Sequence, residues 1–111
     1  MIHALKTEPQ FFEAVIDGSK TFEVRKNDRD FRVGDYLALN ELDDTREGYT
    51  GRSVLLYVCY ILADEKYCKP EYVIIGFKIL NVFRGGNREL IIENATQKDA
   101  LKKQRLKIAS E

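Results

Sequence analysis

Residues 53–62 are apolar at almost every position, so a strand built from them presents apolar side chains on both of its faces. Such a strand has to be covered on both sides, which requires a closed or layered sheet. The longest unbroken apolar run, residues 54–63, has about half of the ~20 residues that a membrane-spanning helix needs. The segment therefore predicts a buried strand in a soluble, mainly β domain that has no membrane partner.

Further strands are predicted around this segment, because apolar and polar residues alternate there between turn-forming residues. They are expected at residues 2–6, 21–25, 36–42 and 72–80. In the second of these strands, Phe22 and Val24 are expected to fill the core. The opposite, outer face of that strand carries Thr21, Glu23 and Arg25. The inner face of the last strand is expected to hold Val73, Ile75, Phe77 and Ile79.

One helix is predicted before the second strand, over residues 8–17. Thr7 is a good N-cap with Gln10 three residues later, as in a capping box, and Pro9 suits the first turn. Gly18 stands where a glycine commonly ends a helix. The apolar face of this helix consists of Phe11, Phe12, Val15 and Ile16.

The 111 residues suffice for one domain but not for two independent cores. Because these apolar segments all lie before residue 81, residues 1–80 are expected to form a small β-barrel with an early helix. Residues 81–111 are expected to form a C-terminal extension, with a strand or a helix start at 88–93 and a basic helix over 94–108. The predicted fold class is α+β, mainly β.

Charge and cysteine usage exclude several classes of protein. The 18 basic and 18 acidic residues balance, so the chain does not hold nucleic acid by bulk charge, and any such site must be local. Cys59, Cys68 and His3 lack the paired spacing of zinc ligands, so reduced cysteines, no metal and no cofactor are expected. No signal-peptide pattern follows Met1, which predicts a cytoplasmic protein.

Candidate functional residues concentrate just after the predicted helix. Lys20 follows the helix end, and Glu23 and Arg25 lie two apart on one strand face, roughly 7 Å along the strand. A carboxylate beside a guanidinium can accept from a base amino group and donate to a carbonyl or a phosphate. Alternatively, Glu23 and Arg25 form an exposed ion pair that contributes about 0–1 kcal/mol to stability.

Other cations and two aromatic side chains accompany this group. Lys26, Arg29 and Arg32 follow it, and nearby acidic residues make the region a mixed polar surface instead of a basic stripe. Tyr49 in the hairpin and Tyr67 in the loop at 64–71 are candidates for stacking on bases, with ordinary loop packing as the alternative.

Gly18, Lys20, Glu23 and Arg25 match the G-x-K-x-x-E-x-R motif, which resembles that of the ASCH (activating signal cointegrator homology) domains. The fold of that family resembles the PUA RNA-binding barrel. Residues 1–6, 22–35, 49–52, 60–62 and 72–76 also resemble blocks of an ASCH subfamily of bacteria and phages. The resemblance covers residues 1 to about 80 and implies a PUA-like barrel.

The resemblance implies an RNA- or nucleotide-binding module with a mixed-charge cleft beside the first helix. The residues expected to bind RNA or a nucleotide are Lys20, Glu23, Arg25, Lys26, Arg29, Arg32 and Tyr67. The alternative is a small hydrolase, either an amidohydrolase on a modified nucleoside or a ribonuclease that uses Lys20 and Glu23. Against the amidohydrolase, Glu23 stands at the position of the threonine of those relatives, so the nucleophile is missing. A protein-interaction role ranks third.

Overall fold

The computed structural model describes residues 1–84, which form a five-stranded sheet with one short helix. The elements are β1 (Ile2–Thr7), α1 (Pro9–Ile16), β2 (Phe22–Lys26), β3 (Tyr36–Leu42), β4 (Tyr49–Leu62) and β5 (Tyr72–Arg84). The predicted class, α+β and mainly β, is confirmed. The strand or helix start predicted at 88–93 and the basic helix at 94–108 lie outside the described residues.

The sheet curls into a half-barrel that brings its two edge strands to face each other. The strand order is β1-β3-β4-β5-β2, with β1 parallel to β3 and the other pairs antiparallel. Side chains bridge the gap between the edge strands β1 and β2, which we call the seam. Arg25 donates from its NH2 group to the carbonyl oxygen of Lys6 at 3.0 Å, and Arg29 donates to that of Ala4. The seam is the open side of the half-barrel.

Strand β4 is buried on both faces over residues 53–58, but the predicted burial does not extend to Cys59 and Tyr60, which are exposed. Val54, Leu56 and Val58 are fully buried in the main cluster, together with Phe12 of α1. Leu55 belongs to a second, smaller cluster on the other side of the sheet. The other buried members of that cluster are Ile2, Tyr36, Ala38 and Phe83.

Strand β5 departs from its predicted bounds and inner face. Val73, Ile75 and Phe77 are buried as predicted, whereas Ile79 is 39% exposed. The pairing with β4 shifts register beside Ile79, and such a bulge interrupts the alternation of faces. The strand continues past the predicted end at residue 80 and ends at Arg84.

The helix begins and ends almost where predicted, but its N-cap is different. Glu8 is the cap residue and makes no side-chain capping hydrogen bond. Thr7, the predicted cap, instead ends β1, because the parallel pairing continues to Thr7 opposite Glu41. Pro9 opens the helix as expected, and Gly18 follows its end with a φ of 86°, a conformation that favours glycine.

Arg52 on β4 ties the helix to the sheet, an ion-pair network that the sequence analysis did not identify. Its guanidinium donates to both carboxylate oxygens of Glu41 at 2.7 and 2.8 Å, and to Glu13 of α1 at 2.5 Å. It also lies 5.0 Å from the ring centroid of Phe12. Glu41 is only 3% exposed. This network helps to fix α1 against the sheet.

We expect stability to fall in acid because of Glu41. Burial raises the pKa of its carboxyl, but hydrogen bonds from Arg52 and Thr50 outweigh burial and hold the pKa below its ordinary 4.5. A lowered folded-state pKa stabilises the protein above the unfolded-state pKa, and this stabilisation is lost as the pH falls through the folded-state value. The free energy of unfolding, measured with urea between pH 3 and 7, should therefore begin to fall at about pH 5, just above the pKa of a glutamate in the unfolded chain. In Glu41→Gln this decline should be shallower, and an unchanged profile would contradict the assignment.

Candidate functional site

Strand β2 buries the face that was predicted to be exposed and exposes the face that was predicted to be buried. Phe22 and Val24 are 45% and 52% exposed, whereas Glu23 is only 3% exposed. The prediction of a core role for Phe22 and Val24 is wrong because alternation gives the period of a strand but not which face is inside. The carboxylate of Glu23 can be buried because two cations neutralise it on the inner side of β2.

Lys20, Glu23 and Arg25, which were predicted to share one candidate site, form one ion cluster. Lys20 donates from Nζ to Oε1 of Glu23, and Arg25 donates from Nε to Oε2 at 2.9 Å. The side chains of Lys20 and Arg25 are 20% and 27% exposed. The two cations therefore reach solvent, while their hydrogen bonds to the buried Glu23 carboxylate fix their positions.

The ion cluster lines a cleft of about 650 Å³ at the seam, which we call the seam cleft. Phe11 of α1 and Phe22 of β2 line it with rings that are 44% and 45% exposed. The ammonium of Lys20 lies 5.6 Å from each ring centroid. The basic lining residues are Lys6, Lys20, Arg25 and Arg46, and the acidic ones are Glu8 and Glu23. Positive charge therefore predominates in an otherwise apolar cleft.

Thr7 is a lining residue of the seam cleft that sequence reasoning missed. Its Oγ1 is buried and has no hydrogen-bond partner among residues 1–84. An unpartnered buried hydroxyl carries a free-energy cost unless some other group bonds to it. The sequence signal was misread, because the polar residue before the helix was interpreted as a cap.

The remaining predicted site residues fall into two groups. Arg29 and Tyr49 line a neighbouring pocket of about 390 Å³, which also includes Lys6 and Arg25. Three residues do not line either hollow and are exposed, namely Lys26, Arg32 and Tyr67. The guanidinium of Arg32 instead bonds to Asp30 at 2.7 Å.

His3 and the cysteines lie outside the seam cleft. His3 is buried on β1, and its Nε2 is 2.8 Å from Oδ2 of Asp35. Cys59 is exposed and Cys68 buried, and both are free. Within residues 1–84 no group of three or more metal-ligating side chains comes together. In the same part of the chain, no helix has the length and apolarity to span a membrane.

Comparison with known proteins identifies the family. A family model described as "Domain of unknown function (DUF3850)" matches residues 2–77, which include the whole seam cleft. The chain belongs to this family. It is also similar to a protein of Escherichia phage P2 described as "Uncharacterized 12.9 kDa protein in GpA 3'region", with 40% identity over 53 residues. That match covers 48% of this chain and 47% of the phage protein, so the chain spans about half the length of this relative.

Proposed function

We propose that this member of the DUF3850 family binds a nucleotide, free or within single-stranded RNA, in the seam cleft. The observation that carries the proposal is the ion cluster, in which the buried Glu23 holds Lys20 and Arg25 in the lining of a cleft beside two half-exposed phenylalanine rings. Cations bind phosphate, and aromatic rings stack on bases. The cleft combines both chemistries.

The hydrogen bonds within the ion cluster leave donors for a ligand. The Lys20 ammonium has three donors and gives one of them to Glu23. Arg25 gives Nε to Glu23 and one NH2 proton to Lys6, so its NH1 group makes neither of these bonds. Because Glu23 fixes both cations before a ligand arrives, less side-chain entropy is lost on binding. Glu23 therefore acts as a positioning residue in this proposal.

The size and lining of the seam cleft also support a small, partly apolar ligand. Its volume of about 650 Å³ falls within the ~300–1,000 Å³ typical of ligand sites. Thr7 adds a hydroxyl that can donate to or accept from a base or a sugar. The resemblance of the motif around Lys20 to the ASCH domains agrees with this proposal.

Hydrolysis is the weaker proposal for the same cleft. The resemblance to ASCH-like amidohydrolases implies a catalytic carboxylate from the loop at 64–71, and the acidic residues there, Asp64, Glu65 and Glu71, are not among the lining residues. Asp64 instead accepts from the backbone N–H of Lys66 at 2.9 Å. The ribonuclease alternative would use Lys20 and Glu23, but both carboxylate oxygens of Glu23 already accept hydrogen bonds from Lys20 and Arg25. We therefore expect nucleotide and RNA to be recovered unchanged after incubation, and chromatography of the mixture would detect either hydrolytic activity.

The proposal is tested by fluorescence anisotropy with a labelled single-stranded RNA of mixed sequence. We expect saturable binding, with a log–log salt slope of about −1.4 to −2.8 for two to four phosphate contacts. Lys20→Met, in protein that circular dichroism shows to be folded, should weaken binding about tenfold, because one charge-assisted contact is lost. Lys78→Met removes the same charge from an exposed site on β5, outside the seam cleft, and should change little. Absence of saturable binding, or equal effects of the two substitutions, would overturn the proposal.

We expect Thr7→Val to separate binding from stability. Valine has nearly the same shape and removes a buried hydroxyl that has no partner among residues 1–84, so the melting temperature should stay the same or rise. RNA binding should weaken by about 2- to 12-fold, because the proposal assigns this hydroxyl a hydrogen bond to the ligand. Thr21→Val, at an exposed position outside the seam cleft, is the control for both measurements. If Thr7→Val binds RNA as tightly as the wild type does, the Thr7 hydroxyl does not bond to the ligand.

A further inference from the structure

A second hollow opens on the seam beside the seam cleft. Its volume is about 390 Å³, and Tyr49 and Arg29 contribute to its lining, so we call it the Tyr49 pocket. Lys6 and Arg25 line both the Tyr49 pocket and the seam cleft. The two hollows therefore share a wall of positive charge.

Arg25 is held in this shared wall from two sides. Its Nε donates to Glu23 on the same strand at 2.9 Å, and its NH2 donates across the seam to the carbonyl oxygen of Lys6 at 3.0 Å. Two bonds to different strands fix the plane of the guanidinium. The side chain of Lys6 is exposed beside it. A phosphate between the two hollows would therefore meet one fixed cation and one adaptable cation.

Partly exposed aromatic rings also line each of the two hollows. Phe11 and Phe22 line the seam cleft, and Tyr49, which is 37% exposed, lines the other hollow. Aromatic rings stack on bases of any sequence, because every base has a π-face. The order along the seam is thus ring, cation and ring, which corresponds to the order base, phosphate and base in a single strand.

We propose that the seam binds two consecutive nucleotides of a single strand, which rests on the nucleotide binding proposed above and extends it. One base stacks at the phenylalanine rings of the seam cleft, and its neighbour stacks on Tyr49. The phosphate that links the two nucleotides lies between the hollows, at Lys6 and Arg25. The ligand class is therefore an oligonucleotide with at least one internal phosphodiester, bound more tightly than a mononucleotide.

Calorimetric titration of the full chain tests this proposal with two defined probes, adenosine 5′-monophosphate and 5′-phosphorylated diadenylate. The dinucleotide should bind at least about tenfold more tightly, since it adds one stacked base and one phosphate contact. Tyr49→Ala should weaken dinucleotide binding about tenfold and leave the mononucleotide affinity unchanged. Tyr49→Leu keeps side-chain bulk without a ring and should have the same effect. Tyr60→Ala, at a 62% exposed position outside both hollows, is the control.

The outcomes separate this inference from the function on which it rests. If the mononucleotide binds and the dinucleotide binds no more tightly, the two-nucleotide site is overturned and the seam cleft remains a nucleotide site. The same conclusion follows if both Tyr49 variants, folded by circular dichroism, bind the dinucleotide as well as the wild type does. If neither probe binds and the RNA titration also shows no saturable binding, the proposed function itself fails.

Discussion

Replacing Phe12 by alanine is expected to lower the free energy of unfolding by about 3–5 kcal/mol. Phe12 is 0% exposed at the interface between α1 and the sheet, and its ring lies 5.0 Å from the Arg52 guanidinium. Truncation therefore leaves a cavity in the main cluster and removes the apolar contact that holds the helix to the sheet. Because domains of this size are typically stable by about 5–15 kcal/mol, the loss should be plain in urea unfolding at pH 7.

Phe22→Ala provides the matched control, because it makes the same chemical change on a ring that is 45% exposed. Burying a phenylalanine completely is worth roughly 1.5–3 kcal/mol, so the half-buried ring should cost only about 1 kcal/mol. From the sequence alone, Phe22 was expected to be a core residue. An equal loss of stability in both variants would contradict the exposed position of Phe22 and the seam cleft that it lines.

Much of the fold follows from the sequence through the periodicity of apolar residues. Residues 53–62 lack a polar face, and the structure covers the first part of this segment, up to Val58, with a cluster on each side of the sheet. Gly18 ends the helix as predicted, because a φ of 86° favours glycine. The bounds of β3 agree fully with the prediction. These features depend on local patterns, which a single sequence contains.

The features that failed depend on contacts between distant residues. Strand β2 has apolar and charged residues in alternation, and this pattern alone does not show which set is inside. On the Glu23 side, Arg25 reaches the carbonyl of Lys6, nineteen residues away in sequence. Arg52 is similarly placed by Glu13, thirty-nine residues away. No local pattern indicates such pairings.

The burial of Glu23 changes how the candidate site can be examined by mutation. If the Glu23 face were exposed, as the sequence predicted, removing Lys20 and Arg25 together would test binding alone. With Glu23 only 3% exposed, the same change removes both hydrogen-bonding cations from a buried carboxylate. Breaking a buried ion pair from one side is much more costly than replacing all its members by apolar residues. A loss of binding in that variant would therefore combine the loss of ligand contacts with the loss of stability.

We accordingly expect the double variant Lys20→Met/Arg25→Met to lose about 3–5 kcal/mol of unfolding free energy at pH 7. Arg32→Met is the surface control, because Arg32 pairs with an exposed Asp30, and it should leave the free energy of unfolding nearly unchanged.

Adding Glu23→Leu to the double variant should restore most of the lost stability, because the triple variant contains no buried charge at this position. Urea unfolding of the wild type and the three variants at pH 7 measures these differences. The triple variant should nevertheless fail to bind RNA, since the two cations are still absent. Recovery of stability without recovery of binding would separate the ligand-binding role of Lys20 and Arg25 from their role in the fold. If the triple variant is no more stable than the double variant, Glu23 does not act as a buried charge. If it binds RNA like the wild type, the ion cluster is not the binding site.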